Sequence, residues 1–123
     1  MQAYSRALLL ALTVTIVVLS VAPPAWRPVT GVPHAMEHAA IFCLAGASLA
    51  LSFSHSWPVL AIVATMFTAL VEIAQLWIPG RHARLSDFVV DTAGAWLGLG
   101  LCAMGRGVWR ARNGSATTIR AQE

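Results

Sequence analysis

Four apolar runs, cut apart by short clusters of Pro, Gly, Ser, His and Arg, dominate the chain. They cover about residues 7–22, 35–53, 58–78 and 85–104, and a membrane-spanning helix needs roughly 17–25 mainly apolar residues. The last three runs meet that length, and the first meets it if Arg6 snorkels to the interface. Backbone groups in lipid must be satisfied within the segment, so each run is expected to be helical. The links Ser54–His55–Ser56 and Pro79–Gly80–Arg81–His82 are short enough to turn each helix back on its predecessor. The expected fold is all-α, an antiparallel bundle of four transmembrane helices within residues 1–112. A disordered cytoplasmic tail is expected over 113–123.

Composition excludes a water-soluble core. Of the 123 residues 58% are hydrophobic and 11% charged, where soluble domains sit near ~45–50% and ~25%. Mean hydropathy, +0.70, points the same way. The net charge of +3 does not indicate nucleic acid. All eight basic residues are Arg, and they flank apolar runs without forming one basic face. Trp26, Trp57 and Trp77 lie near segment ends, where indole rings prefer the headgroup zone.

The first run also reads as a secretory signal peptide, with Arg6, an apolar stretch and then small residues. Pro23 and Pro24, directly after the best cleavage position, favour an uncleaved helix. Loop arginines set orientation. With both termini cytoplasmic, Arg6, Arg106, Arg110, Arg112 and Arg120 lie inside, against Arg27, Arg81 and Arg84 outside. A membrane protein with both termini in the cytoplasm is expected.

Alternation of direction gathers the ionisable residues. His34, Glu37 and His38 open the second helix, Glu72 and Gln75 close the third, and Ser86, Asp87 and Asp91 open the fourth. Every acid except Glu123 thus falls in one layer, expected at the outer leaflet. Helical spacing extends this layer into packing stripes. Asp87, Asp91, Gly94, Gly98 and Cys102 share a face of the fourth helix, and Gly94 with Gly98 forms a small-x-x-x-small surface for close approach. Ala61, Thr65, Thr68, Glu72 and Gln75 share a face of the third, and Ala39, Cys43, Gly46 and Ala50 one of the second. Glu72 lies about 9 Å inside by helical rise, where a carboxylate costs up to about 3 kcal/mol. A partner is expected for it, His38 or Arg81 foremost and Arg84 next. The competing reading is that the cluster only holds helices together, through hydrogen bonds worth about 0.6 kcal/mol each.

Other signatures of chemistry are missing. There is no phosphate-binding Gly loop, nucleophile elbow or paired-Cys motif. Cys43 and Cys102 fall at different depths and read as packing residues. His38, Glu72, Asp87 and Asp91 are metal-ligand types without diagnostic spacing, so no metal and no cofactor is expected.

The motifs in order are His38-Ala39-Ala40-Ile41-Phe42, Glu72-Ile73-Ala74-Gln75, Pro79-Gly80-Arg81, and Asp87 with Gly94 and Gly98. Together they resemble the VanZ-like membrane proteins over about residues 34–101. Two positions depart from the family pattern: His34-Ala35 replaces its Asp-Lys, and Asp91 stands where Asn is common. The resemblance implies a small bacterial integral membrane protein related to one associated with glycopeptide (teicoplanin) resistance, and it implies no established reaction. The expected role is a non-enzymatic envelope protein whose cluster of His38, Glu72, Gln75, Arg81, Arg84, Asp87 and Asp91 binds a lipid headgroup or lipid-linked wall precursor. Expected partners are thus the bilayer and an anionic lipid or such a precursor, with no nucleic acid. The alternatives are a small proton-coupled multidrug exporter and an intramembrane hydrolase with His38 as base.

Overall fold

A computed structural model describes residues 2–22, 31–79 and 84–120, with side chains as far as residue 109. It contains four helices: α1 (Gln2–Val21), α2 (His34–Ser52), α3 (Trp57–Gln75) and α4 (Leu85–Arg120). Each is long and apolar enough to cross a membrane, α4 through its segment Leu85–Trp109. A helix of 19 residues rises about 28 Å, close to the roughly 30 Å of a hydrocarbon core.

Local chemistry sets the ends. Pro33, in extended conformation, offers its carbonyl to the amides of Met36 and Glu37 at 2.9 and 3.3 Å, opening α2. Glu37 then sits in the first turn, where the helix dipole favours an acid. Extended Phe53 ends α2, and Ser56 with Pro58 starts α3. The third helix stops three residues short of the expected 78. The amides of Leu76, Trp77 and Ile78 bond carbonyls three residues back, a tighter turn that leads into Pro79. A residue preceding proline is disfavoured in helical conformation, which accounts for the early end.

The fourth helix differs most from expectation. It was expected to end near 104 with a disordered tail from 113, and it continues to Arg120. No proline follows Leu85. Gly105 and Gly107 each cost about 1 kcal/mol relative to Ala, and neighbouring Arg and Ala are good helix formers. Residues 121–123 lie outside the described part.

The helices alternate in direction along the chain, so α2 and α4 run parallel to one another. These two form the central pair, with α1 packed on α2 and α3 on α4, while α2 and α3 barely meet. Small residues explain the closeness of the central pair. A Cβ on Gly94 would come within 2.6 Å of the Ala39 carbonyl oxygen, and one on Gly98 or Gly46 would collide with the carbonyl of Cys43 or Ala95. The core holds five alanines beside Ile16, Phe42, Leu60, Val71 and Leu99. Leu8, Leu10, Ile62, Met66, Leu70 and Leu97 are more than half exposed, an outer surface suited to lipid and unsuited to water.

Candidate functional site

The tight α2–α4 register decides the geometry at one end of the bundle. With Ala39 against Gly94 and Cys43 against Gly98, His38 comes level with Asp91. His38 Nδ1 donates to Asp91 Oδ1 at 2.9 Å; Asp91 is fully buried and the His38 side chain is 18% exposed. His38 also lies edge-on to His34, with ring centroids 4.2 Å apart. On its other side Phe42 leads to Phe67 of α3.

Glu72, buried near the end of α3, takes a different partner from those expected. Its Oε2 accepts the backbone amide of Arg84 at 3.1 Å, just ahead of α4. The carboxylate therefore sits at the positive end of α4, where a negative charge is favoured. The expected pairing with His38 is not made, because His38 is engaged by Asp91 one helix away. Arg81, the other favoured partner, lies outside the described residues. Asp87, Asp91 and His38 are nonetheless near enough to act electrostatically on Glu72, so the layer is one cluster.

The remaining members divide by position. Gln75 is buried at the end of α3. Asp87 is half-buried and accepts from the Ser86 hydroxyl at 3.1 Å. Arg84 is exposed. Among the described residues, three buried carboxylate oxygens, Glu37 Oε1, Glu72 Oε1 and Asp91 Oδ2, find no hydrogen-bond partner. Buried polar atoms are satisfied in the great majority of cases, so three orphan acceptors in one layer mark a place where donors are wanted. Among the described residues no three His, Cys, Asp or Glu side chains converge as a metal site.

Below this layer the stripes serve packing. Thr68 and Thr92 share a hydrogen bond at 2.8 Å, and Trp96 Nε1 donates to Thr65 Oγ1 at 3.0 Å, so hydroxyls join α3 to α4. Thr92 and Trp96 escaped the sequence reading, although their spacing of four marks a second face of α4. Cys43 and Cys102 are both free thiols; Cys102 approaches the Ala47 carbonyl at 3.7 Å. Two apolar hollows of about 170 and 160 Å³ share Phe67, one between α1 and α3 and the other among all four helices. The first reaches Val21 and Ala74, near the polar layer; the second runs on to Leu9 and Ala64 in the bundle interior.

Four apolar helices around a layer of acids and histidines, with Glu72 and Asp91 buried in it, define a multi-pass membrane protein of the bilayer. A family model described as VanZ/LLP1 matches residues 3–106, most of the chain. The chain belongs to that family. The match extends the motif resemblance of residues 34–101 to include α1. No curated protein and no solved structure gives a significant match.

Proposed function

We propose that this protein is a non-enzymatic component of the bacterial envelope, with its polar layer at the outer leaflet of the plasma membrane and both termini in the cytoplasm. The layer binds the headgroup of a lipid or lipid-linked wall precursor, and through it the protein bears on glycopeptide sensitivity. The observation that carries this reading is the trio of orphan oxygens on Glu37, Glu72 and Asp91. Acceptors buried without partners suit a ligand rich in hydroxyl, amide or ammonium donors, which sugar-, peptide- and amine-bearing headgroups supply. Arg81 and Arg84, which lie in sequence between α3 and α4, are the phosphate donors of this reading. The apolar hollow between α1 and α3 starts beside the layer, and its Val, Leu and Phe lining suits a lipid tail.

Arg81→Lys tests the site, because a specific phosphate contact needs the planar guanidinium fork and general anchoring does not. The expected result is a change in glycopeptide sensitivity and about tenfold weaker binding of a lipid-linked wall precursor to purified protein. The amount of protein in the membrane should be unchanged, and Arg84→Lys should be milder. Wild-type behaviour of both variants would reduce the arginines to topology signals.

The His38–Asp91 pair favours a second reading, intramembrane hydrolysis. A buried carboxylate holding an imidazole at 2.9 Å is the arrangement of a general base and the group that orients it. Turnover of a lipid ester by the purified protein, lost in His38→Gln, would select this reading over binding.

A further inference from the structure

A cleft of about 420 Å³ opens at the other end of the bundle, between the α2–α3 turn and the inner half of α4. Its wall carries Ser54, His55, Ser56 and Arg106, and its floor is formed by Ala50, Leu60, Leu99 and Ala103. No acid lines it. Arg106 Nη1 donates to the Ala50 carbonyl at 2.7 Å, which anchors the guanidinium there. Among the described residues this is the one hydrogen bond of that guanidinium. Ser56 occupies the N-cap of α3 without capping it through its side chain. The side chains of Ser54 and His55 likewise make no hydrogen bond among the described residues. The cleft thus combines one anchored positive charge, several uncommitted donors and no counter-charge. That set of groups fits an anion with several acceptor oxygens, for which guanidinium is the strongest partner.

The surroundings narrow the source of that anion. The floor is apolar and belongs to the membrane-spanning parts of α2, α3 and α4. Trp57 at the rim is 42% exposed and packs edge-on against Trp96 at 5.9 Å, an indole placed where headgroups lie. Arg6 is close by in the fold, donating to the Ser52 carbonyl at 3.4 Å with its guanidinium over the Phe53 ring. We propose that this cleft binds the phosphate of an anionic phospholipid in the leaflet at this end of the bundle, with Arg106, Ser54, His55 and Ser56 as donors. It shares no residue with the polar layer of the previous section, so either site can fail without the other.

Native mass spectrometry of the full-length protein, released from micelles of equal phosphatidylglycerol and phosphatidylcholine, is the test. Wild type should retain phosphatidylglycerol in preference to phosphatidylcholine. Arg106→Gln should lower that retention about tenfold. Because Arg106 also holds the Ala50 carbonyl, Ser56→Asp provides the control for folding. Aspartate is a favoured N-cap, so this variant should unfold no earlier than wild type, yet its charge should expel the anion. Equal phosphatidylglycerol retention by wild type and by folded Ser56→Asp overturns the proposal. Displacement of the lipid by millimolar inorganic phosphate would keep the phosphate site and overturn its lipid source.

Discussion

His38 and Asp91 show how much a single helix register can decide. Asp91 is fully buried, and one of its oxygens has His38 as partner while the other has none among the described residues. Leaving a buried acceptor without its donor typically costs about 1–3 kcal/mol, and more where the acceptor is charged. His38→Ala should therefore lower the unfolding temperature in detergent severely. Asp91→Asn should be tolerated, at a cost of about 1 kcal/mol or less. The amide keeps an acceptor for His38 Nδ1 and removes the buried charge, and Asn is the residue that VanZ-like proteins commonly carry there. Equal damage from the two variants, measured as unfolding temperatures, would show that the charge on Asp91 is required. Helical spacing made both residues legible as inward-facing. Spacing within one helix says nothing of the rotation and shift of its neighbour, and so the expected His38–Glu72 contact gave way to His38–Asp91.

At the scale of elements, α2 and α4 depend on glycine for their approach. Gly98 faces the backbone of Cys43 and Ala47, and a Cβ there would meet the Cys43 carbonyl and lie 2.8 Å from the Ala47 nitrogen. Neither backbone can swing aside as a side chain would. Gly98→Ala should cost roughly 1–3 kcal/mol by overpacking. A Cβ on Gly100, two residues on, would meet nothing within 4 Å among the described residues, so Gly100→Ala should raise stability by up to about 1 kcal/mol through helix propensity. Thermal unfolding of the two variants in the same detergent checks the pair, and similar shifts would disprove the close-contact account. The Gly94–Gly98 stripe was visible as a sequence pattern. That its partner is the parallel α2, and not the sequence-adjacent α3, was not. Arg106 continues the stripe four residues past Cys102 and bonds the Ala50 carbonyl near the end of α2, where the helix dipole favours a cation.

For the molecule as a whole, the arginine asymmetry predicts which ends face outward. In a background lacking Cys43 and Cys102, Thr30→Cys and His82→Cys should react with a membrane-impermeant thiol reagent applied to intact cells. His55→Cys and Ser115→Cys should stay protected until the membrane is opened. Labelling at 55 from outside would invert the topology and place the Arg106 cleft outward. The membrane class itself rests on firmer ground, because four long apolar helices leave large hydrophobic side chains on the outer surface.

Sequence alone determined the number of helices, the membrane as their solvent, the family, and the gathering of acids into one layer. The family follows from the ordered motifs around His38, Glu72, Pro79 and Asp87, and the rest from the order and length of apolar runs, which act locally or through simple alternation of direction. Only the tertiary structure decided the partners: His38 with Asp91, Glu72 with the Arg84 amide, Thr68 with Thr92, and Arg106 with the Ala50 carbonyl. Those pairings depend on how closely two backbones approach and at what offset. The contact of Gly46, Gly94 and Gly98 with the carbonyls opposite sets that distance and offset for α2 and α4, and a pattern written along one chain does not contain it.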